Sequence, residues 1–371
     1  MASFSILRHK RVQEQIADYV RDKINSGDFT PGMKLPTTLE LAAMWKTNSA
    51  TVSDALKPLV KEGFLYRTRR IGTFVRKREE KLTCVGIYHT ENNWTDNTMG
   101  FERAVHAEVT KQLKSEGIQT RLWVDSRPTA EQGAPWPELV RAAENREIQG
   151  LIGMGGGWSQ LRWRNKLPIP SAHMTGANIP NRVNGDIEHF VELSLRSLVE
   201  QGCRSVGLIA PFSPVKTVNP DGTHHVLMGL FEHFTNRTRD LGLEMRNEWV
   251  RVPRDEENSP RQSQERFGHE EFLKLWSQSK RPEGLIVYPD TTVRSVILAM
   301  REKQVRVPEE LKLIFHKNES IDLLCPMPAT FVISSEREFA RALIEQLRKQ
   351  FQGERCEPIT VPFRLGGQEE I

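Results

Sequence analysis

The chain has 371 residues, 38% hydrophobic and 27% charged, with a formal net charge of +4; it is long enough for two or more domains, and no apolar run reaches the roughly 18 residues of a membrane span. Four widely separated cysteines (Cys84, Cys203, Cys325, Cys356) supply neither a disulfide framework nor a zinc-ligand spacing. The opening MASFSILRHKRV lacks the apolar stretch of a signal peptide, so a cytoplasmic protein with reduced thiols and no membrane partner is expected.

In chain order, Val12, Ile16, Val20 and Ile24 recur at helical spacing and predict an amphipathic helix. Thr37 begins a second, short helix, because Glu40 three residues on completes a Thr-x-x-Glu capping box; Leu39, Ala42 and Ala43 are available for its inner face. A polar break at Lys46–Ser49 precedes a third helix, capped by Asn48 or Ser49, in which Val52, Ala55, Leu56, Leu59 and Val60 form one buried stripe. The remaining face carries Ser49, Thr51, Ser53, Asp54 and Lys57, small polar groups suited to a groove. Pro58 removes one hydrogen bond and is expected to bend the second half of this helix. Gly63 ends it, Phe64–Arg67 and Thr73–Val75 alternate as strands, and Arg69–Gly72 make the turn between them.

Helix, turn, helix and hairpin is the pattern of a winged helix-turn-helix, which places its second helix in the major groove of double-stranded DNA. Charge points the same way. From Arg8 to Arg78 there are 15 Lys and Arg against 7 Asp and Glu, so this segment carries +8 and the rest of the chain −4. Arg67, Arg69, Arg70, Arg76, Lys77 and Arg78 gather around one hairpin, a distribution that attracts phosphate.

The run Gly27-x-x-x-Pro31-Gly32-x-x-Leu35-Pro36, with Leu41-Ala42, Thr51-Val52, Ala55-Leu56, Leu59, Glu62-Gly63 and Gly72-Thr73-Phe74-Val75, resembles the DNA-binding head of the GntR family of bacterial repressors. The resemblance covers residues 1–78. The expected DNA contacts are Thr37, Thr38, Asn48, Ser49, Thr51, Ser53 and Lys57, with Arg69, Arg70 and Gly72 in the wing. Where the family commonly places arginines, one in the first helix of the motif and two around the start of the second, this chain has Leu39, Ser49 and Ser53. Arginine bidentate to guanine is the commonest specific base contact, so a less guanine-dependent half-site is expected.

Residues 79–81 read as a linker. Beyond it, strand-like runs alternate with helical segments. Strands are expected at Leu82–His89, Ile118–Val124, Gln149–Met154, Ile169–Met174, Ser205–Ala210, Gly284–Tyr288 and Leu311–His316, with an extended stretch at Trp249–Val252. Helices are expected at Phe101–Glu116, Pro137–Arg146, 187–201, His225–Leu241, Glu265–Ser277 and Val293–Lys303. Such alternation predicts parallel sheets covered by helices. Two sets, with a first crossover near 183–186, make residues 82–371 a two-lobed, doubly wound α/β body.

Here Glu200-Gln201-Gly202-Cys203-Arg204-Ser205-Val206-Gly207-Leu208-Ile209 resembles the helix-to-strand joint of the LacI/GalR effector domain. Ile286-Val287-Tyr288-Pro289-Asp290 and Val307-Pro308-Glu309-Glu310-Leu311 resemble later segments of it, and Pro362-Phe363-Arg364-Leu365 its last strand. The fold class implied is an N-terminal winged helix-turn-helix plus a periplasmic-binding-protein-like domain, the pairing of the arabinose-repressor subfamily.

In doubly wound sheets, ligands bind beyond the carboxyl ends of the strands. The candidate ligand residues are Trp94, Trp158, Ser213, His225, Asp290 and Asn318. Asp290 can accept hydrogen bonds from adjacent hydroxyls and equally suits a helix N-cap. The two tryptophans suit a sugar face, though each alone suits packing as well. Val226 stands where the resemblance implies an arginine, beside His224 and His225, which argues against a strongly anionic ligand. Gly155-Gly156-Gly157 is not followed by Gly-Lys-Ser/Thr and reads as a cleft-facing turn. No catalytic constellation, metal site or cofactor is indicated.

The expectation is a homodimeric repressor whose operator affinity is set by a small molecule, a sugar by preference. The alternatives are a pyridoxal-phosphate enzyme-type regulator, disfavoured by the short body and the lack of a suitable lysine, and a sugar-binding protein with a degenerate head, disfavoured by the retained basic wing.

Overall fold

The computed structural model describes residues 11–25, 28–68, 71–75, 81–90, 100–128, 130–155, 158–212, 229–253, 264–352 and 354–366. The chain divides into two compact units, Met1–Lys81 and Leu82–Ile371.

In the first unit, α1 (Val12–Asn25), α2 (Thr38–Met44) and α3 (Ser49–Lys61) precede the hairpin strands β1 (Leu65–Thr68) and β2 (Gly72–Val75). Ile16, Val20, Val52, Ala55, Leu56 and Leu59 are buried with Leu41, Ala42, Leu65 and Val75 in one core. Two assignments change. Val12, first residue of α1, is 52% exposed, and α2 turns Leu41 and Ala42 inward while leaving Leu39 72% exposed; Ala43 is exposed too. Seven residues contain too few apolar repeats to set a helix's phase, so packing against α3 decides it.

Both caps form as read. Thr37 and Glu40 exchange hydrogen bonds, Glu40 Oε2 accepting the Thr37 N–H at 2.7 Å. Asn48 Oδ1 accepts the Thr51 N–H at 2.7 Å, and α3 continues through Pro58 to Lys61. Because the Asn48 cap satisfies an otherwise orphaned N–H, Asn48→Ala is expected to cost the head about 1 kcal/mol and Asn48→Ser little, measured by urea unfolding of the full chain.

Gly32, at φ +83°, turns the chain so that Leu35 N–H donates to Thr73 and Val75 N–H to Met33, each at 2.9 Å. Residues 33–35 thereby flank β2, which explains why the Pro31–Pro36 run belongs with the wing. Gly72 has φ +145°, a backbone conformation that favours glycine; a Cβ there would meet only the movable end of the Lys34 side chain.

In the second unit, one lobe holds β3 (Cys84–Thr90), α4 (Gly100–Ser115), β4 (Gln119–Asp125), α5 (Pro137–Glu144), β5 (Gly150–Met154), α6 (Trp158–Arg164), β6 (Ser171–Met174) and β7 (Arg182–Gly185). The other holds α7 (Ile187–Glu200), β8 (Val206–Ile209), α8 (Gly229–Asp240), β9 (Val250–Arg251), α9 (Gln264–Trp276), β10 (Gly284–Val287), α10 (Asp290–Glu302), β11 (Lys312–Asn318) and β12 (Thr330–Ser334). The chain then returns. Helix α11 (Glu336–Phe351) buries Phe339, Leu343 and Leu347 against Val85, Ile152 and Val183 of the first lobe. Strand β13 (Ile359–Val361) joins the first sheet, and β14 (Arg364–Gly366) closes the second, antiparallel to β12.

The strand orders are β4-β3-β5-β6-β7-β13 and β9-β8-β10-β11-β12-β14. Each is doubly wound and reverses once, between β3 and β5 in one lobe and between β8 and β10 in the other. Three segments cross between the lobes: Asp186, Ser335 and Pro362–Phe363. They are tied together, since Asp186 N–H donates to Val361 O at 2.9 Å, and Glu319 accepts from Ser335 Oγ at 2.6 Å and Arg364 at 2.8 Å.

Several elements differ from the sequence reading. Helix α6 was not foreseen, so Trp158 begins a helix rather than ending a loop. Helix α10 starts at Asp290, earlier than Val293, with Pro289 as its cap residue. Residues 247–249 form a 3-10 turn before β9. The start of the helix expected at His225 lies outside the described residues. Among the described residues no helix is long and apolar enough to cross a membrane, and all four cysteines are free.

Candidate functional site

On the head, Thr37, Thr38, Asn48, Ser49, Thr51, Ser53 and Lys57 lie along the start of α2 and on α3. Arg69 and Arg70 lie outside the described residues. The structure engages several of the polar groups with one another. Asn48 caps α3, Lys57 Nζ pairs with Asp54 at 2.7 Å, and Arg67 of β1 donates to the Ser53 carbonyl at 3.2 Å. Arg67 thus ties the wing to the recognition helix, a role that its place in the strand alternation did not reveal.

In the second lobe, the sheet reversal places Tyr288, Pro289 and Asp290 directly after β10. Asp290 is 6% exposed and Asn318, the last residue of β11, is 5% exposed. Burial raises the Asp290 carboxyl above its ordinary range, against hydrogen bonds from the Thr291 backbone and the Asn318 side chain and the nearby Arg294 charge. Asp290 is therefore the first residue of the helix rather than its cap, yet it still meets the helix N-terminus. Its own N–H donates to His316 Nδ1 at 3.2 Å. That fixes the tautomer: Nδ1 accepts, so Nε2 carries the proton toward Ser334 Oγ, 2.8 Å away. Burial pushes His316 down to about 3, so its ring is neutral.

An aromatic cluster surrounds His316. The Tyr288 and His316 rings are 4.6 Å apart, and Phe190 lies 5.0 Å from Tyr288 and 5.3 Å from Phe363. Tyr288 and His316 were missed by the sequence reading. A signal existed for the histidine, because His316 and Asn318 are two apart on β11 and share a sheet face. Ser213 and His225 lie outside the described residues.

In the first lobe, the corresponding edge contains Thr90, Asp125, Gly155 and Thr175. Trp94 lies outside the described residues; Trp158 has its backbone described but not its side chain, and so do Gly156 and Gly157 lie outside. What the structure adds is a buried polar network. Tyr88 Oη donates to Asp125 at 2.6 Å, and Arg127 holds the same carboxylate with two contacts of 2.8 Å. The fully buried Arg164 packs 4.5 Å from the Tyr88 ring centre and donates to the Gly155 carbonyl at 3.1 Å; burial pushes it down to about 10, still cationic. A Cβ on Gly153 would fall 2.4 Å from His173 Nδ1 and 2.6 Å from Arg164 Nη1, so only glycine fits there. No group of three or more potential metal ligands occurs among the described residues.

A wing and reading helix on one unit, and paired doubly wound sheets with a polar strand-end site on the other, define a DNA-binding fold joined to a ligand-binding fold. Comparison with known proteins gives the two families. Residues 12–75 match the model for bacterial regulatory proteins of the gntR family, and residues 195–364 match that for a periplasmic binding protein-like domain. The chain is thus a GntR-type head on a LacI-type, periplasmic-binding-protein-like body, and neither matched family is an enzyme family. The head is 37% identical over 73 residues to the transcriptional repressor NagR of Bacillus subtilis, a match covering 20% of this chain and 30% of that protein. The chain therefore spans under a third of that relative's length. The arabinose metabolism transcriptional repressor of Halalkalibacterium halodurans is 20% identical over 337 residues, 85% of this chain and 83% of that one, so the match extends through both units. The transcriptional regulator CelR in complex with cellobiose superposes with a TM-score of 0.58 at 14% identity, covering 90% of this chain and 99% of that one, and shows the shared fold.

Proposed function

We propose that this protein is a transcriptional repressor whose grip on a DNA operator is controlled by a small, uncharged polyhydroxylated molecule, a sugar by preference, bound in the body. The single observation that carries the ligand reading is the buried Asp290 carboxylate at the sheet reversal, backed by Asn318 and adjoined by the half-buried Tyr288. An aromatic face beside an acceptor-only oxygen pair suits a sugar edge. The similarity to a repressor of arabinose metabolism, and to a regulator solved with cellobiose, supports the same class. Two heads reading two half-sites imply a homodimer. Ligand binding that shifts the lobes by a coupling of about 1–3 kcal/mol changes operator affinity roughly 5- to 150-fold.

Mobility shift of an operator, with and without each member of a sugar and polyol panel that raises the melting temperature, tests this reading. Operator affinity indifferent to every stabilising compound would overturn it. Asp290→Asn is expected to weaken effector binding roughly 10- to 150-fold. The pH sign follows from burial. The folded carboxyl titrates above its unfolded value, so its ionisation opposes folding as pH rises through that window. A ligand donating hydrogen bonds favours the ionised form, so effector affinity should rise with pH across the same window. Asp290→Asn should flatten the dependence.

A further inference from the structure

At the start of α3, Ser49 and Thr51 are half-buried and Ala50 between them is exposed, and this has a consequence for base recognition that rests on the DNA-binding function proposed above. Ala50, Ser53, Asp54 and Lys57 recur at i, i+3, i+4 and i+7 and share one face. Asn48 holds the Thr51 N–H with its carbonyl oxygen at 2.7 Å. An asparagine reads adenine with its oxygen and nitrogen together, whereas this cap turns the oxygen to the Thr51 N–H. Ser53 Oγ lies 3.5 Å from Arg67 Nη2, which also binds the Ser53 carbonyl. Asp54 and Lys57 neutralise each other at 2.7 Å; the pair is exposed and therefore weak, so Lys57 can turn to a phosphate. The exposed group left at the N-terminal end of the face, the end that meets base edges in helix-turn-helix complexes, is the methyl of Ala50. A second exposed apolar side chain, Leu39, stands on the first turn of α2 at 72% exposure.

The apolar feature of the major groove is the 5-methyl group of thymine. We propose that this head specifies its half-site chiefly through thymine methyl groups, with Ala50 as the principal contact and Leu39 as a second, while Lys57 and the basic wing supply phosphate affinity.

The test uses the full-length chain and a random duplex pool. Enriched half-sites are expected to carry thymine at defined positions. Replacing such a thymine with deoxyuridine, which removes the methyl and leaves every hydrogen-bonding group, should weaken binding about fourfold per contact. Ala50→Ser, nearly isosteric and compatible with a helix start, should bind thymine and deoxyuridine duplexes alike. Equal binding of both duplexes by the unaltered protein, or selection of a guanine-anchored half-site, overturns the proposal while leaving DNA binding intact. Failure to enrich any duplex overturns the DNA-binding reading itself, and this inference with it.

Discussion

Asp125→Ala is expected to destabilise the body by about 3–5 kcal/mol, because it removes one member of a buried charged network and leaves the others uncompensated. Asp125 is fully buried. It accepts from Tyr88 Oη and from two guanidinium nitrogens of Arg127, and Tyr88 in turn covers the buried Arg164. Without the carboxylate, the Tyr88 hydroxyl loses its partner and two arginines lose their nearest counter-charge. Urea unfolding should show a lower midpoint at unchanged slope; a wild-type midpoint would sink the argument. The pH dependence has a definite sign. Burial pushes this carboxyl up, but hydrogen bonds from Arg127 and Tyr88 outweigh that and hold it below the usual range. Its stabilisation is therefore complete above the unfolded carboxylate value of about 3.9 and is lost as pH falls through the depressed folded value. Asp125→Ala should lose this acid-side slope.

Leu59→Ala is expected to unfold the head selectively and abolish DNA binding. Leu59 is fully buried among Ile16, Val20, Val52 and Leu56, and truncating such a leucine costs about 2–5 kcal/mol. A unit of this size is held by only about 4–12 kcal/mol, so the loss is a large fraction of the total. Differential scanning calorimetry of the full chain should show one transition moving down while the larger body transition stays in place. Both transitions moving together would show that the units do not fold independently. Effector-induced stabilisation of the body should survive the substitution.

The two expectations differ in how they could be reached. Leu59 belongs to a stripe visible in the sequence, since Val52, Ala55, Leu56 and Leu59 keep helical spacing within a helix of thirteen residues and such an amphipathic repeat has only one phase that buries it. The caps at Thr37 and Asn48 were legible for a similar reason, because a cap is a local exchange between residues three apart. Strand and helix alternation in the body was legible as well. Helix α6 was not: in Trp158–Arg164 a helix of seven residues carries too short a pattern to stand out. Helix α11 and β13 could not be assigned to the first lobe from sequence, because they follow the last parallel strand of the second.

The site divides in the same way. Asp290 and Asn318 were legible as polar residues at strand ends. His316, Tyr288, Asp125 and Arg164 read as ordinary strand or helix residues, and they meet only because parallel pairing sets β10 beside β11 and β3 beside β4 in a given register.

By itself, the sequence determined the winged helix-turn-helix, the two-lobed α/β body, the basic head and the absence of arginine at the reading end of α3. Those properties are local or periodic, and residues within a few positions of one another enforce them. Only the tertiary structure decided that Leu39 faces outward, that Arg67 of the wing engages Ser53, and that Asp290 is buried against His316 and Asn318. Those outcomes depend on which side chains distant segments bring together, and on burial that changes the chemistry of a carboxylate without changing its place in the chain.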